Sequence, residues 1–392
     1  MSINHADIGQ GKRLSLIVDE HREFLADQAR VSAFRQAIGE VVKPGDVVLD
    51  LGSGTGILGL LACWAGAKRV YSVDEGGMIE LAREICAANG FQDRVTFIKG
   101  LSTRVDLPEK VNVVIADQIG RFGFEAGLLE YFSDARVRFL MPDGVLIPSC
   151  VDLCVAPVEC PEMFAQVEFW NNSTTGFDLR AARSIAANTG YPVKFRPAHL
   201  LGNPVILSLL DLSRVTAVPF KVETSVVVNR SGMLHGIGGW FSAQLSTHVV
   251  MSNSPLVEHP INRRNVFFPV DRPVKVLQGD LVKIAMQIVP TEVMVTWKVK
   301  VLDNGGAEKA GFTHSTFRGM LITKEDLQRT QPSFIPKLTP WGEARCSVVN
   351  LCDGKRTLSE IEEEIYRRHS KLFVSPGQAA AFVAEVVTRY SL

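Results

Sequence analysis

A glycine-rich stretch beside an acid offers the clearest chemistry in this chain. Residues 47–56, VVLDLGSGTG, place Asp50 at the end of an apolar run, and Gly52, Gly54 and Gly56 follow at alternate positions. Glycine lets a backbone turn sharply and come close to a ligand. The N–H groups that begin the next helix favour a polar or anionic group. The stretch therefore predicts a loop that binds a ligand at the end of a buried strand.

A second acid narrows the class of ligand. Asp74 ends the next apolar run, VYSVD, where a carboxylate can accept both hydroxyls of a ribose. A dinucleotide fingerprint would need a small residue in place of Ile57, which is too large. The pattern G-x-G-x-G after Asp50 instead resembles motif I of class I S-adenosylmethionine (SAM) methyltransferases. That resemblance implies that SAM is the cofactor and that the loop borders its methionine part.

Candidate catalytic residues lie in residues 116–127, ADQIGRFGFEAG, which contain Asp117 and Glu125. A carboxylate can orient the N–H groups of a guanidinium or an amine and stabilise the charge that develops on nitrogen. Both acids have structural alternatives, and for Glu125 the alternative is an acid that complements a helix N-terminus. His21 is open between a site residue and a histidine on a helix face.

The hydrophobic pattern predicts the elements that would position these residues. Residues 19–42 have helical spacing, and strands and helices then alternate, which predicts a parallel sheet with helices on both faces. After about residue 150, runs such as LVKIAMQIV predict antiparallel β structure in a barrel or sandwich. A Pro-rich stretch follows residue 330, and three short helical patterns come after it.

Several segments resemble the protein arginine methyltransferases, over about residues 15–320. HREFLADQAR, residues 21–30, is similar to the helix that this family lays over SAM, which implies that Arg30 pairs with the SAM carboxylate. FWNNSTTGFDL, residues 169–179, is similar to the family's dimerisation arm. The resemblance implies a Rossmann-like SAM-binding domain, a β-barrel substrate domain and a homodimer.

The chain departs from this family on the acceptor side. The family has two glutamates on a loop that clamps the substrate guanidinium, whereas here Asp117 stands in the first place and the loop is one residue shorter. The family's Thr-His-Trp segment aligns with Pro260, Ile261 and Asn262, which lack its chemistry. An N-terminal aromatic motif is also missing, since GKRLSLIVDE contains neither Tyr nor Phe.

The candidate site therefore has two parts. The residues predicted to bind SAM are Arg30, Asp50, Gly52, Gly54, Gly56, Asp74 and Thr103. Those predicted to act in catalysis are Asp117, Glu125 and His21.

A C-terminal segment lies outside the arginine methyltransferase pattern. LTPWGEARCSVVNLCDGKRTLSEIEEEIYRRH, residues 338–369, resembles the PqqD-like winged-helix fold, in which Thr357 and Glu360 would form a capping box. Such domains bind leader peptides of ribosomally made, modified peptides, and the leader adds a strand to a sheet edge. STFRGMLITKED and PSFIPKLT are the candidate hairpin strands, and a purely structural helical cap is the alternative.

The predicted fold class is thus α/β, with a Rossmann-like domain, a β-barrel and a small winged-helix-like domain. The predicted domains are residues 1–149, residues 150–328 with a helical arm at about 161–195, and residues 329–392.

Composition limits the classes of partner. Lys and Arg number 42 and Asp and Glu also number 42, so the chain lacks the basic excess typical of nucleic-acid binding. No apolar run is long enough to span a membrane, and MSINHADIGQGKR lacks the apolar region of a secretory signal. Seven cysteines favour reduced thiols in a cytoplasmic protein. Cys150, Cys154 and Cys160 are expected to be small apolar residues on one strand face rather than a metal site.

Three functions fit these observations. The main hypothesis is a SAM-dependent methyltransferase that modifies a nitrogen, in an Arg side chain or an amine, of a precursor peptide whose leader docks on the C-terminal domain. The first alternative is an arginine methyltransferase that acts on other proteins. The second is a non-catalytic scaffold with a SAM fold, which the departures on the acceptor side would suit.

Overall fold

A computed structural model describes residues 17–171 and 175–391. The chain divides into two compact units, Met1–Leu321 and Ile322–Leu392. Residues 1–16 and 172–174 lie outside the described residues. Most of the segment examined for the N-terminal aromatic motif and the middle of the proposed arm therefore lie outside them as well.

The first unit begins with a parallel sheet that confirms the predicted Rossmann-like domain. The described strands run in the order β3-β2-β1-β4-β5, and each adjacent pair is parallel. The strands are β1 (Val47–Leu51), β2 (Arg69–Asp74), β3 (Val95–Lys99), β4 (Val111–Ala116) and β5 (Leu140–Ile147). The helices are α1 (Ile17–Ala26), α2 (Gln28–Val41), α3 (Ile57–Trp64), α4 (Met78–Ala88) and α5 (Leu128–Arg138).

The centre of this sheet places the candidate acids at one edge. All five residues of β1 are buried, as expected for a central parallel strand that is covered on both faces. Asp50 lies in β1, Asp74 ends β2, and Asp117 directly follows β4. Because the carboxyl ends of parallel strands meet at one edge, ligands bind there.

The helical pattern over residues 19–42 forms two helices rather than one. The helix is interrupted at Asp27. The side chain of Asp27 caps α2 by accepting a hydrogen bond from the backbone N–H of Arg30. Aspartate competes with helix continuation in this way because its short side chain bonds to nearby backbone groups. The break sets α1 apart from α2, and Arg30 lies in the first turn of α2.

The rest of this unit is antiparallel, in two sheets. One has the order β7-β12-β10-β6-β8, with β11 paired to β10, and the other has the order β15-β14-β13-β9. Their strands are β6 (Cys150–Val158), β7 (Tyr191–Val193), β8 (Val205–Asp211), β9 (Phe220–Val227), β10 (Gly232–Gln244), β11 (Val250–Ser252), β12 (Asn265–Val276), β13 (Leu281–Val289), β14 (Met294–Leu302) and β15 (Glu308–Ser315). Two short helices, α6 (Pro161–Glu168) and α7 (Arg183–Ala186), lie in the predicted arm region.

The predicted barrel is not closed among the described strands. Strand β12 pairs with β7 only over residues 265–267. Farther along, β12 contains Pro269 and Pro273, and proline has no backbone N–H to donate to a neighbouring strand. Side chains also join the two sheets. Trp297 of β14 lies 5.2 Å from Phe268 of β12, measured between ring centroids, and its indole N–H donates to the carbonyl of Pro269.

The second unit is helical over its described residues, with α8 (Lys324–Arg329), α9 (Pro340–Leu351), α10 (Leu358–Arg368) and α11 (Pro376–Tyr390). Its core includes Val348, Ile365 and Val383, all fully buried. The predicted capping box is confirmed, since Thr357 and Glu360 exchange side-chain and backbone hydrogen bonds at the start of α10.

The winged-helix prediction is not confirmed. Within residues 322–391 no strand forms, and the first candidate hairpin strand spans the end of β15 and part of α8. The second candidate, residues 332–339, contains Pro332 and Pro336, which remove two of the N–H donors that a strand would need.

In the part of the chain that the structure describes, no helix has both the length and the apolar character needed to cross a membrane.

Candidate active site

A cavity of about 690 Å³ opens at the carboxyl edge of the parallel sheet, and this size is typical of small-molecule sites. Helix α1, the glycine loop, the loop between β4 and α5, and the antiparallel sheets all contribute to its walls. Seven of the predicted site residues line it: His21, Arg30, Gly52, Gly54, Asp74, Asp117 and Glu125. Asp50, Gly56 and Thr103 are not among its described lining residues.

The glycine loop has the close approach that its sequence predicts. Gly52, Gly54 and Gly56 all have positive φ angles, of 61°, 52° and 75°, which side chains rarely tolerate. A Cβ at Gly52 would also overlap the amide of Gln118, and one at Gly54 would overlap the ring of His21. The loop therefore presents bare backbone to the cavity for both conformational and steric reasons.

Asp50 lies in β1, just before this loop, and contacts the helix that follows the loop. Its carboxylate is fully buried, and Oδ2 accepts a hydrogen bond of 2.9 Å from the N–H of Gly59 in α3. Burial, with a smaller contribution from the charge of Asp74, raises the pKa of Asp50 from 3.8 to about 7, against the opposing effects of the Gly59 hydrogen bond and of Arg30. Asp50 thus anchors the first turns of α3 rather than facing the cavity.

Asp74 is placed to receive a polyhydroxylated group. Its Oδ2 accepts from the N–H of Gly54 at 2.8 Å, and its Oδ1 accepts from that of Gly76 at 2.7 Å. These bonds fix the carboxylate while leaving it partly exposed. It also lines a smaller adjoining cavity with Leu101 and Ser102. Thr103 is next to that wall in sequence, and its contact with the cofactor stays a prediction.

Asp117 is paired with two arginines. It accepts from Nε of Arg30, and its Oδ1 and Oδ2 accept from the two Nη atoms of Arg263 at 3.2 and 3.0 Å. All three side chains are at most 14% exposed. Burial alone would raise the pKa of Asp117, but Arg263 and Arg30 outweigh it and hold the pKa below its ordinary value. Asp117 is therefore an ionised carboxylate whose two oxygens bind guanidinium groups.

Glu125 is held by its own loop. Its carboxylate accepts hydrogen bonds from the backbone N–H groups of Phe122, Gly123 and Phe124, at 2.9 to 3.3 Å. Burial raises the pKa of Glu125 despite these donors. The alternative role, an acid that complements a helix N-terminus, would need donors in the first turn of α5. The donors to Glu125 belong instead to the loop before α5.

His21 lies on α1 beside Gly54, with its ring edge-on to Phe24 at 6.1 Å between centroids. It therefore shares the cavity with the acids and faces the glycine loop, and a catalytic role for it stays a prediction.

Arg263 was not among the residues predicted from the sequence. The pair Arg263-Arg264 directly follows residues 260–262, which lack the chemistry of the family's Thr-His-Trp segment. Two adjacent arginines next to a substituted recognition segment were the feature of the sequence that could have indicated a site residue here. The pairing itself joins residues 146 positions apart, which spacing cannot reveal.

The cysteine prediction holds in part. Cys150 and Cys154 share one face of β6, but Cys160 lies beyond that strand, at the N-cap position of α6, and its side chain makes no capping hydrogen bond. Among the described residues, ligand atoms of Cys160, Glu162 and His199 lie within 4.8 Å of one another. Both ring nitrogens of His199 already contact Arg196, and Nε2 also lies 3.2 Å from Glu162. The imidazole is therefore engaged within the protein.

This fold and cleft define a class I SAM-dependent methyltransferase. The glycine loop, the Asp74 carboxylate and the Arg30 guanidinium all line this cleft, and their assignment to the methionine part, the ribose and the carboxylate of SAM, respectively, stays a prediction. SAM, when bound, supplies an activated methyl group. Residues 34–151 match the family described as ribosomal protein L11 methyltransferase (PrmA), and residues 151–299 match the arginine methyltransferase oligomerization subdomain.

Known proteins place the chain in a family. It is 30% identical over 279 residues to protein arginine N-methyltransferase 1 of Dictyostelium discoideum, covering 69% of this chain and 81% of that protein. It is 29% identical over 287 residues to protein arginine N-methyltransferase 6 of Danio rerio, covering 69% and 82%. The chain therefore belongs to the protein arginine methyltransferase family and is an enzyme, which sets the scaffold hypothesis aside.

Solved structures agree on the fold. The PRMT1 enzyme-prozyme heterotetrameric complex with AdoHcy from Trypanosoma brucei has a TM-score of 0.69 at 23% identity, covering 76% of this chain and 96% of that one. Protein arginine methyltransferase 10 of Arabidopsis thaliana has a TM-score of 0.66 at 21% identity, covering 76% and 98%.

Asp50 generates a prediction about stability and pH. A carboxyl whose pKa is about 7 when folded and 3.8 when unfolded favours folding most at low pH, and this contribution is lost as the pH rises to 7. Asp50→Asn stays neutral, so its free energy of unfolding should rise relative to wild type by about 1.4 kcal/mol per pH unit between pH 5 and 7. Above pH 7 the difference should level off.

Urea unfolding at pH 5, 6, 7 and 8 measures this difference, and Asp93→Asn, at an exposed acid, controls for the loss of one carboxylate. A difference that is equal at pH 5 and pH 8 would contradict the prediction.

Proposed function

We propose that this enzyme methylates arginine side chains of proteins. The observation that carries the proposal is the Asp117 carboxylate, which lines the SAM cleft and already binds a guanidinium through both of its oxygens. Carboxylates bind guanidinium groups most strongly in this two-pronged geometry. The names of the relatives, protein arginine N-methyltransferases, support the same acceptor.

The two acids divide the work. Ionised Asp117 would hold and orient the acceptor guanidinium, since its pKa is held down by cationic neighbours. Glu125 lines the same cavity, and burial raises its pKa, so it is suited to take the proton that the methylated nitrogen releases. Alignment of the acceptor nitrogen and stabilisation of its developing charge are then supplied by the chain itself.

Glu125→Gln tests this assignment. The amide keeps one acceptor for the loop N–H groups but loses the charge and the proton-accepting oxygen, so kcat on an Arg-rich peptide should fall at least about 100-fold. SAM binding should persist, because the described contacts of Glu125 are to its own loop. Mass spectrometry of the peptide measures turnover, and calorimetry measures SAM binding.

Glu130→Gln, at an exposed acid of α5, is the matched control and should retain full activity. If Glu125→Gln keeps wild-type turnover, the assigned role is wrong. If wild type binds SAM yet methylates simple amines and leaves arginine untouched, the proposed acceptor is wrong.

A homodimer belongs to the same proposal. Residues 151–299 match an oligomerization subdomain, and the predicted arm exposes Phe169 and Phe177, at 51% and 76% of their surface. Exposed aromatic residues of this kind favour an interface. Sedimentation velocity of the purified protein should show a dimer that Phe177→Ser weakens. A monomer at every concentration tested would exclude it.

A precursor peptide is the second candidate substrate, and the helical second unit favours it. Its capped helix and Asp-Gly turn match the resemblance to PqqD-like domains. The same unit lacks a strand within residues 322–391, so a leader would have no sheet edge there to extend. We therefore rank this substrate below proteins in general.

Removal of residues 322–392 separates the two substrates. If the unit docks a leader, modification of leader-bearing peptides should fall at least about 100-fold through loss of effective concentration, while a short Arg peptide is unaffected. Equal activity of the full and shortened chains on both peptides would refute leader docking. Loss of activity on both would show that the unit supports the enzyme's structure.

A further inference from the structure

Arg263 places a guanidinium from the protein itself where the proposed acceptor guanidinium would bind. We propose that Arg263 is a specificity-determining residue that occupies the Asp117 subsite until an arginine of the substrate displaces it. This inference rests on the proposed function, because it concerns the same subsite and the same acceptor chemistry.

The contacts of Arg263 are those expected for a bound arginine. Its two Nη atoms pair with the two oxygens of Asp117, and Nη1 also lies 3.4 Å from the carbonyl of Gly120. Its guanidinium lies 5.9 Å from the ring centroid of Phe241. A carboxylate, a carbonyl and an aromatic face together recognise the planar, delocalised guanidinium better than they recognise an ammonium.

Arg263 and an acceptor guanidinium cannot share this position. Both oxygens of Asp117 are engaged, and a second cation beside Arg263 would meet a like charge in a buried site. Exchange of one guanidinium for another, however, conserves the number of charge-assisted hydrogen bonds to Asp117. The cost of displacement is then confined to moving a flexible side chain.

The surroundings allow this exchange. Arg30 remains on Asp117 through Nε when Arg263 leaves, so the buried carboxylate is never without a cation. Arg263 lies between exposed residues, Asn262 and Arg264, just before β12 begins. The backbone N–H of Asn262 is held by Asp27 at 2.7 Å, which fixes the main chain while the Arg263 side chain can turn outward.

A small-molecule probe tests the inference without turnover. Methylguanidine is titrated into protein saturated with S-adenosylhomocysteine, and binding is measured by calorimetry. Arg263→Ala should bind methylguanidine at least about tenfold more tightly than wild type, because it exposes Asp117 and leaves a space of guanidinium size. Arg264→Ala, at the exposed neighbour, is the matched control and should behave as wild type.

Kinetics supply the second arm. For an Arg peptide, Arg263→Gln should lower KM about tenfold with kcat little changed, since a competitor is removed while Asp117 stays paired with Arg30. Thermal unfolding checks that both variants fold, and the Gln variant retains a polar group if the Ala variant is unstable.

The outcomes are distinct. Equal methylguanidine affinity in wild type and both Arg263 variants would overturn the inference, as would an Arg263→Gln enzyme with unchanged KM and lower kcat, which would make Arg263 a positioning residue. If every variant fails to methylate arginine but Arg263→Ala still gains methylguanidine affinity, the proposed function fails while the occupied subsite stands.

Discussion

The pairing of Asp117 with two guanidinium groups is the interaction on which the cleft depends. It joins the end of β4 to α2 through Arg30 and to the segment before β12 through Arg263, across 87 and 146 residues of sequence. A buried carboxylate without a partner would be costly, so at least one of the two arginines must remain on Asp117. The cofactor side and the acceptor side of the cleft are therefore coupled through one side chain.

A second constraint operates beneath the glycine loop. Two carboxylates flank the loop. Asp50 accepts a hydrogen bond from the N–H of Gly59 in α3, and Asp74 accepts one from the N–H of Gly54. The glycines of the loop leave no room for side chains because Gln118 and His21 approach the backbone directly. Asp50 thus fixes the start of α3, Asp74 fixes the loop at Gly54, and of the two only Asp74 remains partly open to a ligand. The same residue type is thus fully buried in one strand and half-buried beside the cavity in the next.

Local pattern predicted much of this architecture. The buried run of β1, the glycines after it and the acid at the end of β2 are contiguous, and each has a physical signature within a few residues. The break at Asp27 was missed because a capping aspartate acts against a strong hydrophobic period. The choice between a barrel and a sandwich stayed open because it depends on how strands far apart in sequence pair. The Arg263 pairing was missed because it depends on tertiary structure alone. Within residues 316–339, which the structure describes in full, no strand forms, so the resemblance to PqqD-like domains is limited to the helical patterns.

The departures from the family pattern form one coupled change. Aspartate at position 117 is one methylene shorter than the glutamate that the resemblance to the family implies there, so its side chain has a shorter reach. The aligned Thr-His-Trp segment is replaced, yet its neighbourhood still ties the two halves of the unit together, through the backbone of Asn262 on Asp27 and the side chain of Arg263 on Asp117. We infer that the acceptor side is rebuilt around a buried ion pair rather than eroded, because a carboxylate retained in such a place without a catalytic or binding use would cost stability that an apolar residue would not.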